Sequence, residues 1–174
     1  ILPNHIFINK RIKSFNEKIK VSSDKSISIR SVLLASQAVG VSKISNLLES
    51  EDVVNALKTI KKLGIGYKKK SGIYHIEGFG LNGFNLKKKI NINAGNSGTL
   101  ARLILGLLVK SKFKVRLIGD KSLSKRDFSR VIKPLRLFGV NIKSKNNKLP
   151  IEILGSDFLR PVTYYENIGS AQVK

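Results

Sequence analysis

Two serines, a lysine and an arginine stand at the start of a helix-forming stretch, SSDKSISIRSVLLASQAVG, at residues 22–40. Cations are disfavoured at a helix N-terminus, because the backbone already places partial positive charge there. The free N–H groups at that end, together with Lys25 and Arg30, suit a bound phosphate or carboxylate. Ser26 adds a hydroxyl, and Asp24 is expected to cap the helix. The stretch therefore predicts an anion-binding helix start.

A second stretch, NAGNSGTLAR at residues 93–102, has the same character. Gly95 and Gly98 permit a sharp entry into a helix and a close backbone approach to a ligand. Arg102 lies one turn into that helix, where it either faces the ligand or pairs with an acidic neighbour. The stretch lacks the glycine spacing and the Gly-Lys-Ser/Thr ending of a P-loop, so a nucleotide-binding loop of that type is excluded.

The elements that must position these residues form an internal repeat of about 75 residues. EDVVNALKTIKKLGIGY at 51–67 aligns with RDFSRVIKPLRLFGVNI at 126–142, which places Asp52 on Asp127. KSISIRSVLLAS and SGTLARLILGLL, which begin at residues 25 and 97, align in the same way. All four stretches have the apolar spacing of amphipathic helices. The chance alternative is that unrelated helical stretches happen to share a terminal glycine.

Short apolar runs between these helices predict strands, and each repeat is expected to read strand, helix, strand, helix, strand, strand. The fold class is therefore α/β (α+β-type), with repeated βαβαββ units in two copies and the start of a third copy at Ser170-Ala171-Gln172. The predicted strands cover residues 41–46, 65–68, 73–77, 114–118, 140–143 and 151–154.

The two repeats differ at the start of their second helix. The first repeat has the acidic sequence ESEDVV there, whereas the second has GDKSLSKRDFSR at 119–130, which places Lys125 and Arg126 beside the predicted N-terminus. This change indicates an anion site in the second repeat, the alternative being a solvated basic turn. A pseudo-rotation between repeats would bring these helix starts and that of GSAQVK to one region.

Composition limits the remaining function classes. The formal net charge of +22 invites nucleic-acid binding through phosphate neutralisation. The lysines are nevertheless scattered, and aromatic residues make up only 7% of the chain, which is not the pattern of a nucleic-acid interface. A basic nucleic-acid-binding module is therefore kept only as the alternative function.

The chain has no cysteine, which excludes disulfides and thiolate sites. His5 and His75 belong to no metal-ligand or triad pattern, so no metal and no cofactor is expected. No membrane span or secretory signal is visible, and a cytoplasmic location is expected.

Four motifs in this order resemble those of the 5-enolpyruvylshikimate-3-phosphate synthase family, the 3-phosphoshikimate 1-carboxyvinyltransferases. The motifs are SDKSISIR, GNSGTLAR, GDKSLSKR and SAQ. The resemblance implies two similar domains of three βαβαββ units each, soluble and monomeric at full length. Residues 1–20 would belong to a missing second domain and residues 21–174 to an incomplete N-terminal domain. Its repeats would cover about 21–90, about 91–160 and, for the start of the third, 161–174.

The family transfers the enolpyruvyl group of phosphoenolpyruvate to the 5-hydroxyl of shikimate 3-phosphate, without a metal or cofactor. By resemblance, Lys25 is the catalytic residue and contacts both substrates. The implied shikimate 3-phosphate ligands are Lys25, Ser26, Arg30, Ser170, Ala171 and Gln172. The implied phosphoenolpyruvate ligands are Lys25, Gly98, Arg126 and Gln172, in a pocket shaped by Asn96, Thr99 and Arg102. The proton-transfer residue would lie in the second domain, so the chain alone is expected to be an inactive half-site.

Three departures from the family pattern leave these side chains in place. Ser22-Ser23 replaces Pro-Gly, Ile29 replaces His or Asn, and Asp127 replaces the proline after Arg126.

Two related families fit the motifs less well. The related UDP-N-acetylglucosamine enolpyruvyl transferase lacks the Lys-Ser-x-Ser-x-Arg pattern, and RNA 3′-phosphate cyclase shares only a related repeat unit. The former stays as an alternative within the same fold.

Overall fold

The computed structural model describes residues 14, 16, 18, 19, 21–81, 83–166, 169, 171 and 172. Within them the first repeat, residues 25–79, forms two helices and a three-stranded antiparallel sheet in the order β1-β3-β2. Its elements are α1 (Lys25–Gln37), β1 (Val39–Ile44), α2 (Glu51–Lys62), β2 (Gly66–Lys70) and β3 (Ile73–Phe79).

The second repeat, residues 90–154, forms a four-stranded mixed sheet in the order β4-β5-β7-β6. Strands β4 and β5 run parallel, and the two other pairings are antiparallel. A parallel pair needs a crossover, which a helix supplies here. The elements are β4 (Ile90–Asn93), α3 (Gly98–Leu107), β5 (Val115–Ile118), α4 (Lys121–Lys125), α5 (Ser129–Leu137), β6 (Asn141–Ser144) and β7 (Ile151–Leu154).

Side-chain caps and glycines fix the ends of the main helices. The Asp24 carboxylate accepts a hydrogen bond of 2.7 Å from the backbone N–H of Ile27, as expected of a helix cap. Ser97 does the same for α3, and Asp120 for α4. The residues that follow α2 and α5 include Gly64 and Gly139, whose positive φ angles of 90° and 102° favour glycine.

The helices join the two repeats into one apolar core. Helix α1 packs against α2 and β3 of its own repeat and against α3 of the second, and α2 also contacts β4. Helix α1 buries Ile29, Val32 and Leu33 in this core, although its Ile27 and Leu34 are exposed. The fully buried side chains at the centre include Ile29, Val32, Ile60, Ile92, Leu100, Ile104 and Phe128.

The observed elements agree with the α/β expectation and correct it in two places. The short helix α4 was not predicted, and it places Lys125 and Arg126 at a helix C-terminus instead of at the start of α5. A cation is favoured there, so Lys125 needs no anion to explain it. The strand expected at the head of the first repeat is absent from the described residues before α1. None of the described helices is long and apolar enough to cross a membrane.

Candidate anion-binding site

A cleft of about 700 Å³ opens where the starts of α1, α2 and α3 meet the loop between α4 and α5. Residues from all four sequence motifs line it, so the predicted meeting of the helix starts is observed for α1 and α3. The lining residues are Lys25, Ser26, Asp52, Asn96, Gly98, Thr99, Arg102, Arg126, Asp127, Arg130 and Gln172.

On the side of the first repeat, Lys25 is the first residue of α1 and reaches across to α2. Its Nζ lies 3.0 Å from Oδ2 of Asp52, near the start of α2. The Lys25 side chain remains 53% exposed, whereas that of Asp52 is only 16% exposed. The carboxylate is therefore the fixed member of the pair, and it holds a mobile ammonium at the mouth of the cleft. An exposed pair of this kind contributes about 1 kcal/mol or less to stability.

On the side of the second repeat, the start of α3 holds an arginine against its backbone. Nη2 of Arg126 donates a 2.8 Å hydrogen bond to Oδ1 of Asn96. The adjoining Gly98 leaves space for this guanidinium, because a Cβ placed there would lie 2.9 Å from Nη1 of Arg126. The first turn of α3 has no acidic residue, and its first two residues, Gly98 and Thr99, line the cleft beside this cation. This is an arrangement that favours an anionic ligand.

Arg102 takes the first of the two roles left open by the sequence, whereas its hydrogen bonds within the described residues are to backbone oxygens and not to an acidic side chain. It lines the cleft, but its guanidinium also donates to backbone oxygens, at 3.3 Å to Gly98 and 3.0 Å to Asp127. The same group stacks over the Phe128 ring, 4.8 Å from the ring centroid. Burial, followed by repulsion from Arg126 and Arg130, lowers the pKa of Arg102 below its usual value. Arg102 therefore joins α3 to the α4–α5 loop while adding positive charge to the cleft wall.

The loop after β4, which carries Asn96, and the loop after β5, which leads into α4, are joined through their backbones. The N–H of Ala94 donates to the Ile118 oxygen, and the N–H of Asp120 donates to the Gly95 oxygen, both at 2.9 Å. These bonds continue the β4–β5 ladder beyond the ends of the strands. The two loops thus belong to a single hydrogen-bonded corner of the second repeat.

The fourth motif contributes Gln172, whose Nε2 donates to Oγ1 of the buried Thr99 at 3.2 Å. Two other predicted residues do not line the cleft. Arg30 is half-buried one turn beyond Ser26, and Ala171 is exposed beside Gln172. The prediction for Ser170 lies outside the described residues.

Sequence reasoning assigned no role in the cleft to Asp52, Asp127 or Arg130. The internal alignment held a signal for the first two, because Asp52 and Asp127 occupy matching positions of the repeat and both line the cleft. The Asp127 carboxylate accepts hydrogen bonds from the N–H and hydroxyl of Ser129 at the start of α5. Arg130 is the last residue of the stretch quoted at 119–130, but only the fold shows that it lines the cleft.

Charge decides what this cleft binds. Its walls carry one lysine and three arginines against two carboxylates, and those carboxylates hold Lys25 and cap α5. The fork of an arginine suits phosphate and carboxylate groups, and the lysine adds a movable point charge. Among the described residues, no group of three or more His, Cys, Asp or Glu side chains is arranged to hold a metal ion. The site is built for an anion with more than one charged group.

Comparison with known proteins agrees with this geometry. The family model described as EPSP synthase (3-phosphoshikimate 1-carboxyvinyltransferase) matches residues 9–174. A 3-phosphoshikimate 1-carboxyvinyltransferase of Ruthia magnifica subsp. Calyptogena magnifica is 46% identical over 169 residues, covering 97% of this chain. The enzyme of the same name from Streptococcus pyogenes serotype M2 (strain MGAS10270) is 42% identical over 158 residues, or 90% of this chain.

Solved structures give the same result. The crystal structure of EPSP synthase from Acinetobacter baumannii matches 91% of this chain with a TM-score of 0.82 and 36% identity. The match covers 36% of the Acinetobacter chain, and the matches above cover 38% and 36% of the Ruthia and Streptococcus proteins. The chain thus spans little more than a third of the length of these relatives. On the family match and these identities, the chain belongs to the EPSP synthase family.

Proposed function

We propose that the protein transfers the enolpyruvyl group of phosphoenolpyruvate to the 5-hydroxyl of shikimate 3-phosphate and releases phosphate. The observation that carries this proposal is the cleft itself, in which four family motifs converge and present Lys25, Arg102 and Arg126, with Arg130 of α5 beside them. Both substrates carry a phosphate and a carboxylate, so a site for them needs several cations at separate positions. The fork of Arg126 beside the start of α3 provides one such position, and Lys25 with Ser26 provides the other.

The phosphoenolpyruvate position is assigned to the second-repeat wall. Arg126, oriented by Asn96, would bind the anionic groups, and the backbone N–H of Gly98 would donate to the same ligand. Gln172 is hydrogen-bonded to Thr99 and would contact both substrates. Arg102 is already bonded to two backbone oxygens, so its role is to shape this wall and to add charge.

The shikimate 3-phosphate position is assigned to the start of α1. Ser26 lines the cleft there, and Ser170 and Ala171 are assigned to the same ligand from the family motif. Arg30 lies half-buried one turn farther along α1 and does not line the cleft, so it is assigned to this ligand from the family motif alone. Lys25 is assigned to both ligands, since it lines the cleft and Asp52 holds its ammonium near the start of α2.

In the proposed reaction, the 5-hydroxyl of shikimate 3-phosphate gives up its proton as its oxygen bonds to C2 of phosphoenolpyruvate, and C3 gains a proton. In the second step C3 loses a proton and the bond between C2 and the phosphate oxygen breaks, which releases phosphate and gives the enol ether. Lys25 would stabilise the charge that develops during addition. The carboxylates of Asp52 and Asp127 are engaged with Lys25 and Ser129, so we assign proton transfer to a second domain that completes the cleft. That enzyme would be a cytoplasmic monomer.

Release of phosphate by the natural-length protein, with both substrates present, tests this function. Arg126→Ala is expected to lower kcat/KM for phosphoenolpyruvate at least about thirtyfold, because it removes a charged partner of the ligand. Lys121→Ala is the matched control, since it removes an exposed cation of α4 that does not line the cleft. Equal activity in the two variants, or no phosphate release by the unmodified protein, would refute the proposal.

The nucleic-acid alternative makes a different prediction. It requires binding of random-sequence RNA that falls steeply with salt and depends on many scattered lysines. A binding titration with such RNA at two salt concentrations distinguishes nucleic-acid binding from the enzyme proposal. Strong, salt-sensitive RNA binding would favour the nucleic-acid alternative, whereas the enzyme proposal expects Arg126→Ala to impair catalysis and to have no specific effect on RNA binding.

A further inference from the structure

After β7, the chain turns back and runs alongside α5 toward the cleft. This return segment, residues 155–166, starts at Gly155 and Ser156, which donate to the Ser111 and Val109 oxygens, and is next fixed near the C-terminal end of α5. There the backbone N–H of Arg160 donates to the Phe138 oxygen at 3.0 Å, and its Nε donates to the Leu137 oxygen at 2.8 Å. The segment therefore begins its course at the end of α5 that lies away from the cleft.

The segment is fixed again at the start of α5, by an ion pair. Oε1 of Glu166 lies 3.3 Å from Nη2 of Arg130, the second residue of the helix. The side chain of Glu166 is only 14% exposed and that of Arg130 is 35% exposed. A pair with this burial is costly to break from one side, because the remaining charge is left without its counterion.

Glu166 comes to the start of α5 from a distant part of the chain. The first turn of α5 contains no acidic residue of its own, and Asp127 just before it already accepts a hydrogen bond from the N–H of Ser129. Glu166 is therefore held there by its ion pair with Arg130, across 36 positions of sequence (130 to 166).

The position of Glu166 matters because of what it is joined to. Arg130 lines the cleft directly, and Gln172, six residues after Glu166, lines it through its bond to Thr99. The Arg130–Glu166 pair thus fixes a residue that lies only six positions before a second residue of the cleft.

We propose that Glu166 is a positioning residue of the cleft, which acts through Arg130 and through the placement of Gln172 and does not itself touch substrate. It holds the Arg130 guanidinium against the wall of the cleft and sets the reach of the chain to Thr99. The assignment rests on the proposed function only in naming the ligands whose binding is affected.

Glu166→Gln tests this proposal, because it keeps the size of the side chain and removes its charge. In the natural-length protein we expect KM for both substrates to rise about tenfold, with little change in kcat, since a displaced contact residue weakens binding. Arg160→Ala is the matched control, because it removes a tether of the same segment at the far end of α5. It is expected to leave both KM values within about twofold of the original. An equal effect of the two variants would overturn the proposal, since it would reflect general loosening of the segment.

A double-mutant cycle separates positioning from a loss of charge. If Glu166 acts through Arg130, adding Glu166→Gln to Arg130→Gln is expected to change KM much less than Glu166→Gln does alone. Additive effects would show that Glu166 acts independently of Arg130 and would overturn the proposal. Glu166→Asp, which keeps the charge, is expected to recover part of the lost affinity.

Amide hydrogen exchange decides the structural claim without any substrate. Glu166→Gln is expected to speed exchange in peptides that cover residues 162–172, and Arg160→Ala only in those around residue 160. Unchanged exchange at 162–172 would overturn the proposal even in an active enzyme. If the unmodified protein binds neither substrate but exchange responds as expected, the proposed function fails and the positioning role stands.

Discussion

Replacing Gly98 with alanine tests whether the start of α3 and its two arginines form one anion-binding unit. Gly98 is the first residue of α3, and its backbone angles are ordinary for a helix. A Cβ there would lie 2.8 Å from Nη1 of Arg102 and 2.9 Å from Nη1 of Arg126, both closer than real Cβ contacts. Because both atoms end flexible side chains, the arginines would move and the backbone would stay.

The size of the effect follows from what each arginine loses. The guanidinium of Arg126 must move away from Asn96, to which it donates at 2.8 Å. It then no longer lies beside the start of α3, where it would share a ligand with the backbone. Weakening one charged hydrogen bond costs about 1.5–3 kcal/mol at most. A partial loss of about 1–2 kcal/mol corresponds to a five- to thirtyfold rise in KM for phosphoenolpyruvate. Helix propensity favours alanine over glycine by up to about 1 kcal/mol. This gain offsets the cost of moving the two arginines, so the free energy of unfolding should change little.

The control for this substitution lies in the same helix. Gly106 is exposed on α3, and a Cβ added there meets nothing within 4 Å. Gly106→Ala is expected to raise the free energy of unfolding by about 0.5–1 kcal/mol without altering KM. Steady-state kinetics and urea denaturation of the two variants would be compared. If Gly98→Ala left KM unchanged, or raised KM only by unfolding the protein, the inference that Gly98 makes room for the arginines would be refuted.

Three further substitutions test the fold around the cleft. Asp24→Ala removes the cap of α1 and should lower the free energy of unfolding by about 1 kcal/mol in urea denaturation, and no loss would mean that the cap is dispensable. Arg102→Lys should lower it by about 1–2 kcal/mol, because lysine has neither the forked donors nor the flat face that lies over Phe128; a neutral result would contradict the bonding role. Gly78→Ala would place a Cβ 2.4 Å from backbone oxygens at the end of α1 and should cost about 1–3 kcal/mol, whereas Gly66→Ala, with no contact nearer than 3.9 Å, should cost much less.

The main helices and most strands of the chain could be predicted from the sequence. The apolar spacing and the capping residues define α1 to within one residue at each end, and the predicted strand at 151–154 coincides with β7. These features are local, since a cap or an amphipathic period depends on neighbours along the chain. The helix α4 was missed because five residues are too few to show a period.

Which side chains meet in the cleft was only partly predictable. The motifs pointed to Lys25, Gly98 and Arg126, all of which line the cleft, although Arg126 lies after α4 and not at the helix start expected for it. The inward position of Arg130 and the pairing of Asp52 with Lys25 depend on how α1, α2 and α5 pack, which is set by contacts distant along the chain. Arg102 shows the same limit, since only the fold reveals that it bonds an oxygen of its own helix and one of the α4–α5 loop.

The backbone bonds between Gly95 and Asp120 and between Ala94 and Ile118 have a consequence for the entropy of ligand binding. They order the second-repeat wall before any ligand arrives, so that wall loses little conformational freedom on binding. The half-exposed Lys25 side chain, by contrast, must be ordered by the ligand, at a cost of up to about 2 kcal/mol for a long side chain. Binding at the arginine wall should therefore carry the smaller entropic cost, and the ordering of Lys25 is left to the step in which both ligands are present.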